Sequence, residues 1–178
     1  MRKILIVVDM QNDFVTGALG SEDAQKILPG VRAKIDAYHK EDAEVIFTRD
    51  THGEDYMETQ EGKYLPVAHC IRGTEGWELI PELEEMKDSR KAQCFDKPAF
   101  GSVALAEALR AMYEAGELGS VELVGLCTDI CVVSNALLIK AFMPELPVSV
   151  DASCCAGVTP EKHAAALETM RSCQIQIL

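Results

Sequence analysis

Short apolar runs alternate with segments of helical period along the whole chain, and this alternation constrains the fold more than any other feature. Residues 4–8, 45–48, 93–96, 121–126, 147–150 and 174–178 read as six strands. Between them, residues 24–40 carry Ile27, Leu28, Val31, Ile35 and Tyr38 at helical spacing. Pro29 falls inside this span, so its regular helix is expected to begin near the proline. Further helices are predicted over 77–86, 103–115 and 131–142. Ser102 is an N-cap for the second of these and Gly116 its stop. A last helix opens at Thr159-Pro160, with the threonine as N-cap and the proline at the first helical position. Strands that alternate with helices imply an α/β fold: one domain over residues 1–178, with a mainly parallel sheet covered on both faces.

Composition excludes several classes of function. The 178 residues carry a formal net charge of −12, which opposes general nucleic-acid binding. No apolar run approaches the length of a membrane span. The N-terminal run ends at Asp9 before any small-residue cleavage site, so it reads as a strand rather than a signal peptide. Seven cysteines, an odd number with no Cys-x-x-Cys pair, support neither a disulfide framework nor a four-cysteine zinc site. Reduced thiols in a cytoplasmic protein are the expectation. A homo-oligomer is compatible with this composition, which does not decide the oligomeric state.

Three residues follow predicted strands and have the chemistry of a hydrolase. Cys131 sits at or near a helix N-terminus, where free N–H groups and the positive dipole end favour a thiolate and should lower the thiol pKa. The bland alternative is a small buried hydrophobe. Asp9 ends the first strand as a general base or as a turn-capping carboxylate. Lys97, after the third strand, is a solvated loop lysine or an electrostatic partner to both. Strand order is not written in the sequence. In the doubly wound order 3-2-1-4-5-6, strands one and four adjoin at the switch point, and Asp9 would lie beside Cys131.

The stretch 50–76 has no clear period and contains two of the four histidines. A loop of this length in a small domain is usually functional or disordered. Asp50, His52 and His69 offer one carboxylate and two imidazoles, a set suited to zinc, manganese or iron, and Glu61 could add a fourth ligand.

Together these stretches resemble the nicotinamidase branch of the isochorismatase-like cysteine hydrolases. The resemblance runs through Val8-Asp9-Met10-Gln11-Asn12-Asp13-Phe14, Thr48-Arg49-Asp50-Thr51-His52, His69-Cys70-Ile71-Arg72-Gly73-Thr74, Lys97-Pro98-Ala99-Phe100-Gly101-Ser102 and Gly125-Leu126-Cys127-Thr128-Asp129-Ile130-Cys131-Val132, and continues over 151–170. It implies the 3-2-1-4-5-6 sheet and a catalytic triad of Asp9, Lys97 and Cys131. It implies a divalent metal, zinc first and manganese or iron next, on Asp50, His52, Glu61 and His69. It also implies a non-proline cis peptide at Leu126–Cys127, and an oxyanion hole formed by the backbone N–H groups of Cys127 and Cys131. The implied reaction converts nicotinamide to nicotinate and ammonia through a thioester, with Phe14 and Leu65 at the substrate ring. There are two departures from the family pattern: Leu65 stands where many relatives have an aromatic residue, and one extra residue separates Pro66 from His69. Both bear on ring stacking and substrate size rather than on catalysis. Another small amide, or a vinyl ether, is the alternative substrate within the same superfamily. A non-catalytic binding protein on the same fold is the alternative of another class.

Overall fold

A computed structural model describes residues 1–178 and places six parallel strands in the order β3-β2-β1-β4-β5-β6. In chain order the elements are β1 (Arg2–Val8), α1 (Asn12–Val15), α2 (Glu22–Lys40), β2 (Glu44–Asp50), α3 (Gln60–Tyr64), α4 (Pro81–Arg90) and β3 (Cys94–Lys97). They continue with α5 (Val103–Glu114), β4 (Leu118–Leu126), α6 (Val133–Phe142), β5 (Val148–Ala156), α7 (Pro160–Ser172) and β6 (Gln176–Ile177). This is the doubly wound α/β architecture expected from the alternation.

The period-two alternation of β1 divides the core. Ile4, Ile6 and Val8 face one layer, with Leu105 and Leu109 of α5, Ala136 and Ile139 of α6, and Leu167 and Met170 of α7. Leu5 and Val7 face the other, with Ile27, Val31 and Ile35 of α2 and Leu83 of α4. Both faces of the sheet are therefore dry, which is the condition for an all-parallel sheet.

Several boundaries differ from the sequence reading: α4 spans Pro81–Arg90 rather than 77–86, because Trp77 closes a separate short turn and Pro81 opens the helix, and β4 starts at Leu118 rather than 121. Helix α2 starts at Glu22, a full turn and more before Pro29. Ser21 accepts a hydrogen bond from the Ala24 N–H as N-cap, and the buried Ala24 and Ile27 anchor the first turns. The apolar stripe continues through the proline to Val31 and Ile35, so packing outweighs the missing N–H of Pro29. Strand β5 runs on to Ala156, well beyond 150, because Cys154, Cys155 and Ala156 are buried against its neighbours. The predicted helix over 131–142 opens instead with a π turn, Thr128–Val132, before α6 proper.

Register aligns the functional ends. Val8 pairs with Thr48 on one side and Gly125 on the other, and Asp50 pairs with Lys97. Gly125 is required there. Its φ is +115°, and an added Cβ would lie 2.2 Å from the carbonyl oxygen of Val8. The carboxyl ends of β1, β2, β3 and β4 thus converge at the switch point.

Candidate active site

Asp9, Lys97 and Cys131 meet in the interior where those strands end. Asp9 is fully buried, at the first position after β1, with φ at +48°. Lys97 closes β3 and is 1% exposed, so it belongs to the sheet rather than to a loop. Its ammonium lies 2.7 Å from Asp9 Oδ2, 3.3 Å from Asp50 Oδ1 and 3.3 Å from Cys131 Sγ. A lysine has three N–H donors, and here three acceptors surround it.

Electrostatics at the trio follows from burial. Desolvation pushes the Asp9 carboxyl above the ordinary carboxylate range; Lys97 opposes that shift and Asp50 adds to it. Burial also acts against the Lys97 ammonium, but Asp9, Cys131 and Asp50 more than compensate and hold the proton more tightly than on a free lysine. For Cys131, burial and then the negative charge of Asp9 raise the thiol well above its usual value, and Lys97 offsets only part. The expectation of a thiol lowered by the helix end is therefore corrected. The N-terminal dipole is a surface-scale effect of a few tenths to one kcal/mol, and complete desolvation beside a carboxylate outweighs it. Burial thus favours the neutral thiol at Cys131, beside the Asp9 carboxyl. Asp9 Oδ2 faces the Lys97 ammonium at 2.7 Å. Oδ1 is held by the Thr48 hydroxyl, which donates to it at 2.6 Å.

A second cluster sits on the other side of Asp50. The ligand atoms of Asp50, His52, Glu61 and His69 lie within 4.8 Å of one another. Strand β2 supplies Asp50, and α3 supplies Glu61. Gly62 lets α3 settle on the preceding turn, since a Cβ there would meet the Tyr56 carbonyl oxygen at 2.1 Å. His69 Nδ1 lies 2.8 Å from the Val67 carbonyl and so carries the proton. Its Nε2 then faces Asp50 Oδ2 at 3.5 Å and Glu61 Oε1 at 3.8 Å. In a neutral imidazole that places a nitrogen lone pair against two carboxylates. Such an arrangement is repulsive alone and attractive around a cation, so the donor set fits a divalent metal with nitrogen and oxygen preferences. Burial would raise the Asp50 carboxyl, but its contacts with His52, His69 and Lys97 hold it well below the usual range.

Both clusters open on one cavity of about 480 Å³, whose walls include Cys131, Cys127, Asp50, Glu61, His69, Phe14 and Leu65. Every residue singled out from the sequence therefore lies in or next to one site, and the Leu126–Cys127 peptide is cis. Four supporting residues were not singled out. Gln11 accepts from the Asp50 N–H at 2.7 Å and donates to the Asp50 and Trp77 carbonyls at 2.8 Å each, which clamps the shared carboxylate's backbone. Asp13 accepts from the Cys70 N–H at 2.8 Å, next to His69. Thr48 orients Asp9. Asn135, 1% exposed, donates to the Cys131 carbonyl at 2.8 Å and the Phe100 carbonyl at 3.1 Å, and accepts from the Ser102 N–H at 2.9 Å. Gln11 and Asp13 stand in the quoted stretch after Asp9, and their alternation with Asp9 was the available signal. Nothing local marks Asn135.

Comparison with known proteins agrees with this geometry. Residues 3–178 match the isochorismatase domain family. The chain belongs to the isochorismatase family. It is 28% identical over 192 residues to the nicotinamidase/pyrazinamidase of Mycobacterium tuberculosis, covering 99% of this chain and 98% of that one. The crystal structure of a Bacillus subtilis nicotinamidase/pyrazinamidase superposes with a TM-score of 0.85 at 29% identity over 99% of both chains. A Pyrococcus horikoshii pyrazinamidase in complex with zinc gives 0.80 at 30% identity, covering 100% of this chain and 99% of that one. These likenesses put the chain on the nicotinamidase branch, among hydrolases of amide C–N bonds.

Proposed function

We propose that this protein hydrolyses nicotinamide to nicotinate and ammonia, with Cys131 as nucleophile, Asp9 as proton carrier and Lys97 as their electrostatic partner. One observation carries the reading: the buried ammonium of Lys97 touches both the carboxylate and the sulfur, and that sulfur shares a cavity with the Asp50, Glu61 and His69 cluster. The names of the Mycobacterium tuberculosis and Bacillus subtilis relatives support the choice of amide.

In this scheme the Cys131 thiol passes its proton to Asp9 as sulfur bonds to the amide carbon. Lys97 stabilises the carboxylate before the transfer and the anionic sulfur during it. The backbone N–H groups of Cys127 and Cys131 hold the tetrahedral oxyanion. Asp9 returns the proton to nitrogen as the C–N bond breaks, so ammonia leaves and a thioester remains. Asp9 then takes a proton from water. The resulting hydroxide adds to the thioester carbon, the C–S bond breaks, and the proton goes back to sulfur. Phe14, 5.4 Å centroid to centroid from His69, and Leu65 flank the ring. A divalent ion, zinc first, on Asp50, His52, Glu61 and His69 would supply a Lewis-acidic anchor for a ring nitrogen and offset the excess negative charge. All seven cysteines are unpaired, which suits a reducing compartment such as the cytoplasm, where nicotinate would feed pyridine-nucleotide salvage.

The deciding experiment measures ammonia release from a panel of small amides, with and without a chelator. Nicotinamide is expected to lead the panel and to lose its rate on chelation. Silence toward every amide would reject the reading.

A further inference from the structure

The cavity is larger than one pyridine ring needs. At about 480 Å³ it falls in the ~300–1,000 Å³ range of pockets that enclose drug-sized ligands. Its mouth is apolar. Tyr64, Leu65, Phe100 and Val158 line it and are 85%, 39%, 44% and 52% exposed. They make up four of the eight large apolar side chains that the molecule leaves exposed. Scattered exposed apolar groups mean nothing, but a collar gathered round one opening marks a binding surface. The charges along the cavity are ordered too. Its inner wall carries Asp50 and Glu61, and the Lys97 ammonium buried behind that wall is taken up by Asp9, Asp50 and Cys131. The only lysine in the lining is Lys162, exposed in the first turn of α7. An anion thus finds no free ammonium at the inner end and an exposed one at the outer end.

We propose that the mouth is a second substrate subsite. It selects aromatic amides whose ring bears an apolar arm ending in a carboxylate, with the arm against Tyr64, Phe100 and Val158 and the carboxylate on Lys162. This inference rests on the reading of Cys131 as the amide-cleaving nucleophile.

The test compares two nicotinamide derivatives with ring-borne arms of equal length, one ending in a carboxylate and the other in its methyl ester. In the unmodified protein kcat/KM for the acid should exceed that for the ester about fivefold, the effect of one solvent-facing ion pair. The ratio should shrink with added salt. It should fall to near one in Lys162→Met, invert in Lys162→Glu and survive in Lys162→Arg. Calorimetric binding of the same two compounds to Cys131→Ser reads the subsite without turnover and should give the same ratios. If nicotinamide is cleaved but the acid has no advantage, or keeps it in Lys162→Met, the subsite is overturned and the amidase reading stands. If no amide is cleaved while Cys131→Ser still prefers the acid through Lys162, the subsite stands and the nucleophile assignment falls. No preference in either measurement overturns the subsite.

Discussion

Lys97 shows how one buried side chain can define a site. Its ammonium is shared by Asp9, Asp50 and Cys131, which joins the proposed nucleophile to the proposed metal cluster through a single atom. Cys131→Ala removes little volume, so we predict that the fold survives while nicotinamide turnover falls by about three orders of magnitude or more. Near-normal ammonia release with an unchanged far-UV spectrum would refute the role given to the sulfur. Asn135 acts one step removed. Its amide binds the Cys131 carbonyl and holds the loop after Lys97 through Phe100 and Ser102. Asn135→Ala should cost about 2–3 kcal/mol in urea unfolding, because a buried N–H and two carbonyls lose a partner. It should lower kcat about tenfold or more with little change in KM, since misplacing reacting groups penalises chemistry more than binding. An equal effect on both constants would make Asn135 a general packing residue instead.

At the scale of elements, α2 is pinned to the sheet by charge as well as by its apolar stripe. Lys34 reaches Glu122 of β4 at 2.8 Å and Asp151 of β5 at 2.7 Å, and Tyr38 donates to Glu122 at 2.8 Å. Burial pushes the Asp151 carboxyl up, but hydrogen bonds from Lys34 and Ser153 overcome this and hold it below the usual range. A carboxyl depressed in the folded state stabilises above its unfolded pKa of about 3.9, and the contribution fades as pH falls through the folded value. We therefore predict that Lys34→Met lowers the melting temperature at pH 7 by more than at pH 3. A loss independent of pH would mean that Lys34 contributes packing and not charge. The same elements explain the legible and illegible parts of the secondary structure. Strong apolar period revealed α2, and a continuous β-branched-rich run revealed β1. Pro29 and the polar Asp151-Ala152-Ser153 segment concealed the true extents of α2 and β5, because burial by neighbours decided them.

For the whole molecule, metal and fold should be linked. Asp50 and Glu61 come from β2 and α3, and His52 and His69 from the intervening chain and the loop beyond α3, so one ion would tie segments far apart in sequence. A ligand at about 1,000 times its Kd stabilises by about 4 kcal/mol, or roughly 10 °C for a chain of this size. Chelation should lower the melting temperature by about that amount, and added zinc should restore it. His52→Ala should lose bound metal by elemental analysis and no longer respond to chelator. A metal content equal to the parent's would remove His52 from the ligand set.

The sequence by itself determined the alternation of strands and helices, the two dry faces of the sheet and the residue types that chemistry requires. Those are local properties, written in period, caps and donor inventory. Strand order entered only through resemblance to a family, since no local pattern specifies which strands adjoin. The upward shift of the Cys131 thiol was decided by tertiary structure alone, because desolvation beside Asp9 depends on what surrounds the sulfur and not on its place at a helix end. So were the supporting roles of Asn135 and Gln11, whose partners lie across the fold.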